Sequence, residues 1–570
     1  MSEATPPARN PDRRTFMARC AGLGLSGTLL PGVLWARVAE GADITPETVA
    51  AAAEIAGVEF DEAERKMMVD TLKQQEQQIE DLHKVALPNA VPPAVTFDPV
   101  LPGTRLPEGK SEVVTTPAPA VVVPEKLDEL AFLPVTTLAE LVRKRRVTSV
   151  QLTRMYLDRL RRYDSTLKAV VTLTEDRALR QAAERDAELA RGRYRGPLHG
   201  IPWGAKDLLA VRGYPTTWGA APYRTQSFDE DATVVKRLDE AGAVLVAKLS
   251  LGSLAQGDVW FGGTTKNPWK TDQGSSGSSA GPGSATAAGL VAFAVGSETL
   301  GSISSPSTRN GVTGLRPTFG RVPRTGAMAL SWTMDKLGPM ARSVEDVALV
   351  LAAIQGPDGV DPSTPHAVPF RFDARVRPSA LRIGYFRNAF ERDEKDYPNK
   401  PFDLATLEVL RRQGANLVPV DLPTFAYGAM RLVLTAEAAA AFDELTRSGR
   451  DAELTEQGPN AWPNTFRTAR FIPAVDYINA NRARTLAMRG WAELFRNVDV
   501  VVTPTSGTQL VATNLTGHPA VILPNGFRAD GTPVSITFLG GLFEEGKLLA
   551  VANAYQRATD FHLKHPTLPG

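Results

Sequence analysis

The chain has one cysteine, at position 20, which excludes a disulfide framework and a thiolate-based metal site. Its six histidines (His83, His199, His366, His518, His562 and His565) lie far apart, with no His-Glu-x-x-His and no other metal-ligand spacing. No metal and no cofactor are expected. An excess of one charge is also missing. The 64 Lys and Arg side chains against 63 Asp and Glu leave a net +1, so no basic field points to nucleic acid. Repeats at a period of roughly 20–50 residues are absent, which excludes solenoids and propellers. Hydrophobic residues make up 43% and charged residues 22%, ordinary globular usage that excludes a disordered or collagenous chain. What is left over the 570 residues is a metal-independent globular enzyme or binding protein.

The first forty residues read as an address. Arg13-Arg14 is followed by Phe16 and then by an uncharged stretch, Cys20 to Ala36, rich in Leu, Gly and Ala. A basic start before a short apolar core is the layout of a secretory signal, and the paired arginines point to the Tat route. A membrane anchor is the alternative. The stretch is only 17 residues long and holds Pro31 and four glycines, so a stable membrane span is not expected. A Tat-type signal over 1–41 implies a periplasmic or extracellular protein, thiol-free once Cys20 is removed.

Residues 42–86 predict a helical segment. Thr45-Pro46-Glu47 offers an N-cap followed by Pro in the first turn, and Asp61 opens a second run through Glu80. Apolar Met67, Met68, Leu72, Ile79 and Leu82 among Gln, Glu and Lys predict a surface helix packed on one side. Residues 87–131 are crowded with proline and read as an extended linker or as a strap over the following domain. From Phe132 to the C-terminus, apolar runs such as Ala243-Val-Leu-Val-Ala and Val498-Asp-Val-Val-Val-Thr alternate with helical periodicity. Strand–helix alternation on this scale predicts a single α/β domain over 132–570 with a largely buried sheet.

Chemistry concentrates between Gly274 and Ser302, where 14 of 29 residues are Gly or Ser and no charge occurs before Glu298. A flexible linker would not enclose Ala285-Thr-Ala-Ala-Gly-Leu-Val-Ala-Phe-Ala-Val295, which is apolar enough for a core. The glycines instead let the backbone turn sharply and present serines and free N–H groups to a ligand. The pieces Gly277-Ser278-Ser279-Ala280-Gly281, Gly296-Ser297-Glu298-Thr299-Leu300-Gly301-Ser302 and Gly311-Val-Thr-Gly-Leu-Arg-Pro317 resemble the signature of the amidase signature family. Gly196-Pro-Leu-His-Gly-Ile-Pro-Trp-Gly-Ala-Lys206-Asp207 upstream resembles that family's lysine motif; Met334-Asp335 to Asp346 and Asn514-Leu-Thr-Gly-His-Pro-Ala520 also fit.

The resemblance implies a single mixed, mostly buried β-sheet with helices on both faces, and a Ser–Ser–Lys triad. It implies Ser302 as nucleophile, Ser278 after a cis peptide bond as the bridging serine, and Lys206 as the base. The backbone N–H groups of Thr299, Leu300, Gly301 and Ser302 are the implied oxyanion donors. These residue types suit amide cleavage. A serine hydroxyl attacks only when a neighbour takes its proton, and lysine can do so only when burial keeps it neutral. The expected substrate is a small-molecule carboxylic amide, cleaved through an acyl-serine by a monomer or homodimer. Leu300 stands where the family has Gly, Glu298 where it has Asp, Ser304 where Arg is common and Asn310 where Cys is common, so specificity is not inherited with the motif.

Three other readings remain. Gly277-Ser-Ser-Ala-Gly281 also matches the Gly-x-Ser-x-Gly elbow with Ser279 as nucleophile, but the elbow needs a buried strand before it and a helix after it. Lys270-Thr-Asp-Gln-Gly reads as strandless, and Gly281-Pro282-Gly283 as a poor helix start. Within the family, the rival is an amidotransferase A-type subunit feeding ammonia to tRNA-linked transamidation, and an export signal argues against it. A non-catalytic relative that binds an amide is the third; the presence of all three triad residues argues against that.

Overall fold

The computed structural model describes residues 44–568, so the 1–41 signal assignment lies outside the described residues. Residues 44–88 with Thr468–Asp476 form one compact unit, and Asn89–Arg467 with Tyr477 onward form the other. In the first, Thr45 caps the helix Pro46–Ala56 and Asp61 caps the helix Glu62–His83, each through a reciprocal capping box. The second helix is shielded along one side only lightly, with Met68, Val69 and Leu72 half-buried. None of its residues is buried, and Met67 and Leu82 are 73% and 58% exposed. Glutamines at 74, 75, 77 and 78 interrupt the apolar stripe, leaving little to bury.

The larger unit is built on an eleven-stranded mixed sheet. In chain order its strands are β1 (Val170–Leu173), β2 (Pro202–Lys206), β3 (Val244–Leu249), β4 (Phe293–Glu298), β5 (Thr313–Arg316) and β6 (Lys336–Ala341). They are followed by β7 (Ile383–Phe386), β8 (Leu417–Val420), β9 (Val500–Pro504), β10 (Ala520–Phe527) and β11 (Pro533–Gly540). The spatial order is β8-β7-β9-β11-β10-β5-β6-β4-β2-β3-β1. β2 runs parallel to both neighbours, β3 and β4, whereas the centre from β9 to β4 is antiparallel throughout.

Side chains alternate across the pleat, and the cores follow that alternation. Phe293 and Val295 join a core with Trp203 and Leu245, packed by the helices Thr233–Glu240, Val344–Ile354 and Glu545–Arg557. Ala294 joins Val244 and Val246 in a second core on the opposite face, under Leu157, Leu160, Ala178 and Ala182. At the far end Val500 and Val502 face the first core and Val501 a third, around Trp491. The sheet is therefore covered on both faces, and its inner strands read as continuous apolar runs because neither side meets water. No helix among the described residues is long and apolar enough to cross a membrane.

Residues 89–131 lie within this larger unit. They include the strand Glu112–Val114, parallel to Arg371–Asp373, and the short helix Leu127–Leu130.

Candidate active site

Lys206 ends β2 and Glu298 ends β4. Because these strands are parallel neighbours, their carboxyl ends come out at the same edge of the sheet. The serine segments complete that edge. Ser278 and Ser279 lead into the helix Ala280–Ala287, Ser302 precedes the helix Ser304–Asn310, and the Gly277–Ser278 peptide bond is cis.

Lys206 is fully buried, and its Nζ lies 2.7 Å from Ser278 Oγ, 3.1 Å from Ser279 Oγ and 2.9 Å from Ser297 Oγ. The Ser279 hydroxyl donates to Ser297 O at 3.0 Å and accepts from Ser297 N–H at 3.1 Å, so toward the lysine it can only accept. With one amine hydrogen directed to Ser279, a neutral lysine keeps its lone pair available to accept from the Ser278 hydroxyl. Position favours the neutral form. Burial drives the Lys206 pKa well below its usual value, against the opposing pull of Asp335 and Glu298, and no carboxylate forms an ion pair with it among the described residues.

Ser302 is half-buried, and its carbonyl accepts from Ser279 N–H at 3.0 Å, tying the two serine segments together. Among the described residues its hydroxyl makes no hydrogen bond, so Lys206 and Ser278 are in contact while Ser302 stands beside them unlinked. The N–H groups of Thr299, Leu300, Gly301 and Ser302 likewise have no partner among the described residues. Gly301 makes the turn at φ +90°, a conformation an L side chain rarely adopts. Leu300 is half-buried and is not at positive φ, so the leucine fits where the family has glycine.

Sequence reasoning missed what shapes this loop. The carboxylate of Glu298, fully buried, accepts through Oε2 from Ile303 N–H at 2.9 Å, Ser304 N–H at 2.8 Å and Ser304 Oγ–H at 2.9 Å. Oε1 accepts from Arg316 at 2.9 Å and Asn514 at 2.8 Å. Burial alone would raise the Glu298 pKa, but Arg316 and these hydrogen bonds bring it down to about 2. Glu298 thus takes the two N–H groups just after Ser302 and leaves the four before them without a partner among the described residues. At the start of the turn, Thr299 donates to Asp335 Oδ1 at 2.5 Å, while Asp335 Oδ2 accepts from Leu330 and Ser331 N–H. The only local hint is Glu298 itself, the one charge between Gly274 and Ser302; its distant partner Asn514 has no local signature.

The substituted positions have work inside the cluster. Ser304 bonds Glu298, and Asn310 donates to Ser275 O at 2.9 Å and Pro306 O at 2.7 Å. The expected lack of a strand and of a helix around the Ser279 elbow is overturned, although the strand is polar and not buried as the elbow requires. Lys270–Gly274 is a strand, paired with Lys266–Asn267, and a helix does begin at Ala280. Pro282 is tolerated in its first turn, where a backbone N–H has no helical acceptor. What rules against Ser279 is its environment: it is completely buried and its hydroxyl hydrogen is bonded to Ser297 O. Trp203, Trp218 and Trp260 are core, whereas half-buried Trp332 lines a cavity of about 330 Å³ that reaches Ser297, Thr299 and Asp335.

A family model described as Amidase matches residues 151–513. The A-type subunit of glutamyl-tRNA(Gln) amidotransferase from Chloroflexus aggregans is 33% identical over 491 residues, which cover 78% of this chain and 99% of that protein. Its counterpart from Roseiflexus sp. is 34% identical over 74% of this chain and 96% of its own length. Among solved structures, native peptide amidase from Stenotrophomonas maltophilia superposes with a TM-score of 0.68 at 32% identity, covering 78% of this chain and all of that one. A bacterial aryl acylamidase of the amidase signature enzymes shares the fold at 20% identity, TM-score 0.67.

Proposed function

We propose that this chain, which belongs to the amidase family, cleaves the C–N bond of a carboxylic amide through an acyl intermediate on Ser302. The observation that carries the reading is Lys206 Nζ, buried without an ion-pair partner among the described residues, 2.7 Å from Ser278 Oγ. In the first half-reaction Ser302 Oγ bonds to the amide carbon as its proton passes to Ser278 Oγ, and the Ser278 proton passes to Lys206 Nζ. The carbonyl oxygen becomes an oxyanion facing the free N–H groups of residues 299–302. Collapse breaks the C–N bond, and the lysine proton returns through Ser278 to the departing amine or ammonia. Water repeats the sequence on the acyl-serine and releases the acid. The Ser278–Ser302 contact has to close when substrate binds, a tightening common to sites without ligand.

The test is ammonia or amine release from aliphatic, aryl and peptide amides by the purified chain. Turnover by wild type and its loss in Ser302→Ala support the reading, whereas binding without turnover in wild type defeats it and favours a non-catalytic amide-binding protein.

A second reading has a specific observation behind it, the 33–34% identity to A-type amidotransferase subunits over nearly their whole length. In that case the same serine chemistry would release ammonia for a partner acting on charged tRNA. The two readings part on self-sufficiency: a hydrolase works alone, whereas an amidotransferase component needs its partner proteins and glutamyl-tRNA for full ammonia release. The Arg13-Arg14 signal supports export, which would separate the chain from tRNA; periplasmic or extracellular localisation is part of the first reading.

A further inference from the structure

The cavity beside Thr299 has one wall that comes from outside the 132–570 stretch. Asn89 Nδ2 donates to Ala329 O at 2.8 Å, and Ala329 N–H donates back to Asn89 Oδ1 at 2.8 Å. This two-bond latch holds the strap so that Asn89, Ala90 and Pro92 line the cavity along with Ser297 and Thr299. Most of the remaining lining is apolar, with Leu208, Met328, Leu330 and Leu337 among it.

The charged groups in the lining are Glu230, Asp335, Asp361 and Arg324. Asp335 is taken by Thr299 and two backbone N–H groups. Asp361 accepts from Arg324 and Ser363, and Arg324 also donates to Trp332 O at 3.0 Å. Glu230 differs. Its neighbours Asp229 and Asp231 pair with Arg212 and Arg177, but half-buried Glu230 has no ion pair or hydrogen bond among the described residues. The cavity therefore carries three carboxylates against one guanidinium, and its one unengaged charge is negative.

We propose that this cavity selects the substrate. It takes a compact apolar group ending in a cation, with the latched strap at 89–92 limiting its length and Glu230 receiving its charge. The proposal rests on the amidase reading for the identity of the reacting amide. It makes the preferred substrate an amide whose far end carries an ammonium or similar group, because a cation leaving water for a mostly apolar cavity needs a carboxylate partner there.

Binding can be measured apart from turnover, by calorimetry on the Ser302→Ala protein with ω-amino carboxamides of four, six and eight carbons and their unsubstituted alkyl counterparts. At one chain length the amino amide should bind about tenfold or more tightly than the alkyl amide. Glu230→Gln should erase that ratio, and Asn89→Ala should flatten the dependence on length while the protein still unfolds as wild type does. Equal binding of each pair, a preference that survives Glu230→Gln, or no binding of any member overturns the proposal. Ammonia release by wild type from the same amides reports separately on the hydrolase reading, which fails if ligands bind with the expected preference and are not cleaved.

Discussion

Lys206 and Lys248 lie on adjacent parallel strands, one register position apart, and both are fully buried, yet only Lys248 has a carboxylate beside it. Its Nζ is 2.7 Å from Asp207 Oδ1, whereas Lys206 meets three serine hydroxyls and no anion at ion-pair distance. The register pairs Lys248 with Ala205, so the two ammonium positions project to opposite faces of the sheet. Equal burial thus has different results: a lysine paired with a carboxylate on one side and, on the other, one held by serines, which the proposed function makes the base.

A lysine that works as a base must be neutral, so Lys206→Arg is expected to lower kcat/KM nearly as much as Lys206→Ala. Arginine keeps the charge and does not deprotonate in a protein. Because burial lowers the Lys206 pKa, the protonated, inactive form accumulates only as pH falls through that lowered value. Activity should decline on the acid side in wild type. Retention of most of the neutral-pH rate by the arginine variant would make the lysine structural.

Ser302→Ala is expected to abolish amide cleavage and leave the melting temperature within the range of a surface substitution. A serine-directed phosphonate should modify wild type at Ser302 only. Peptide mapping that found the adduct on Ser279 would reinstate the elbow reading despite that residue's burial.

Arg316→Met should destabilise the protein by about 3–5 kcal/mol in denaturant titrations, since it leaves the Glu298 carboxylate buried and unpaired. The same pair predicts acid sensitivity. The Glu298 pKa is lowered on folding from 4.5 to about 2, so its contribution is present above the unfolded value and lost as pH falls from 4.5 toward 2. Glu298→Gln should flatten stability against pH in that window.

Changing Arg13 and Arg14 to Lys should hold the protein in the cytoplasm if the paired arginines direct Tat export. Fractionation that recovers the double variant outside at the wild-type level would remove the assignment.

Much of this is legible in the sequence because burial writes itself into residue type. The apolar runs at 243–247 and 498–503 become β3 and β9. Lys206, Ser278 and Ser302 are found by motif, and the structure puts the first two in contact. The ribbon at Lys266–Gly274 is invisible because its strands are short, polar and half-exposed, with no period-2 apolar signal. The helix at Ala280 is hidden by Gly281, Pro282 and Gly283, whose poor propensity is outweighed by complete burial. The roles of Glu298 and of the strap at Asn89 depend on partners 216 and 240 positions away, which no local pattern reports.

That distance has a consequence for the order in which the protein becomes competent. Every side chain proposed to react is in place by residue 302, but the loop that presents the free N–H groups is held by Glu298, and Glu298 is held by Asn514 and by an Arg316 that itself donates to Thr513 Oγ1 and His518 O. Closing a loop of this length is entropically unfavourable until the late strands β9 to β11 dock and offset it. A nascent chain, or a fragment cut after β6, carries the complete set of reacting side chains with an unsupported loop, so chemical competence arrives with the last part of the chain to be synthesised.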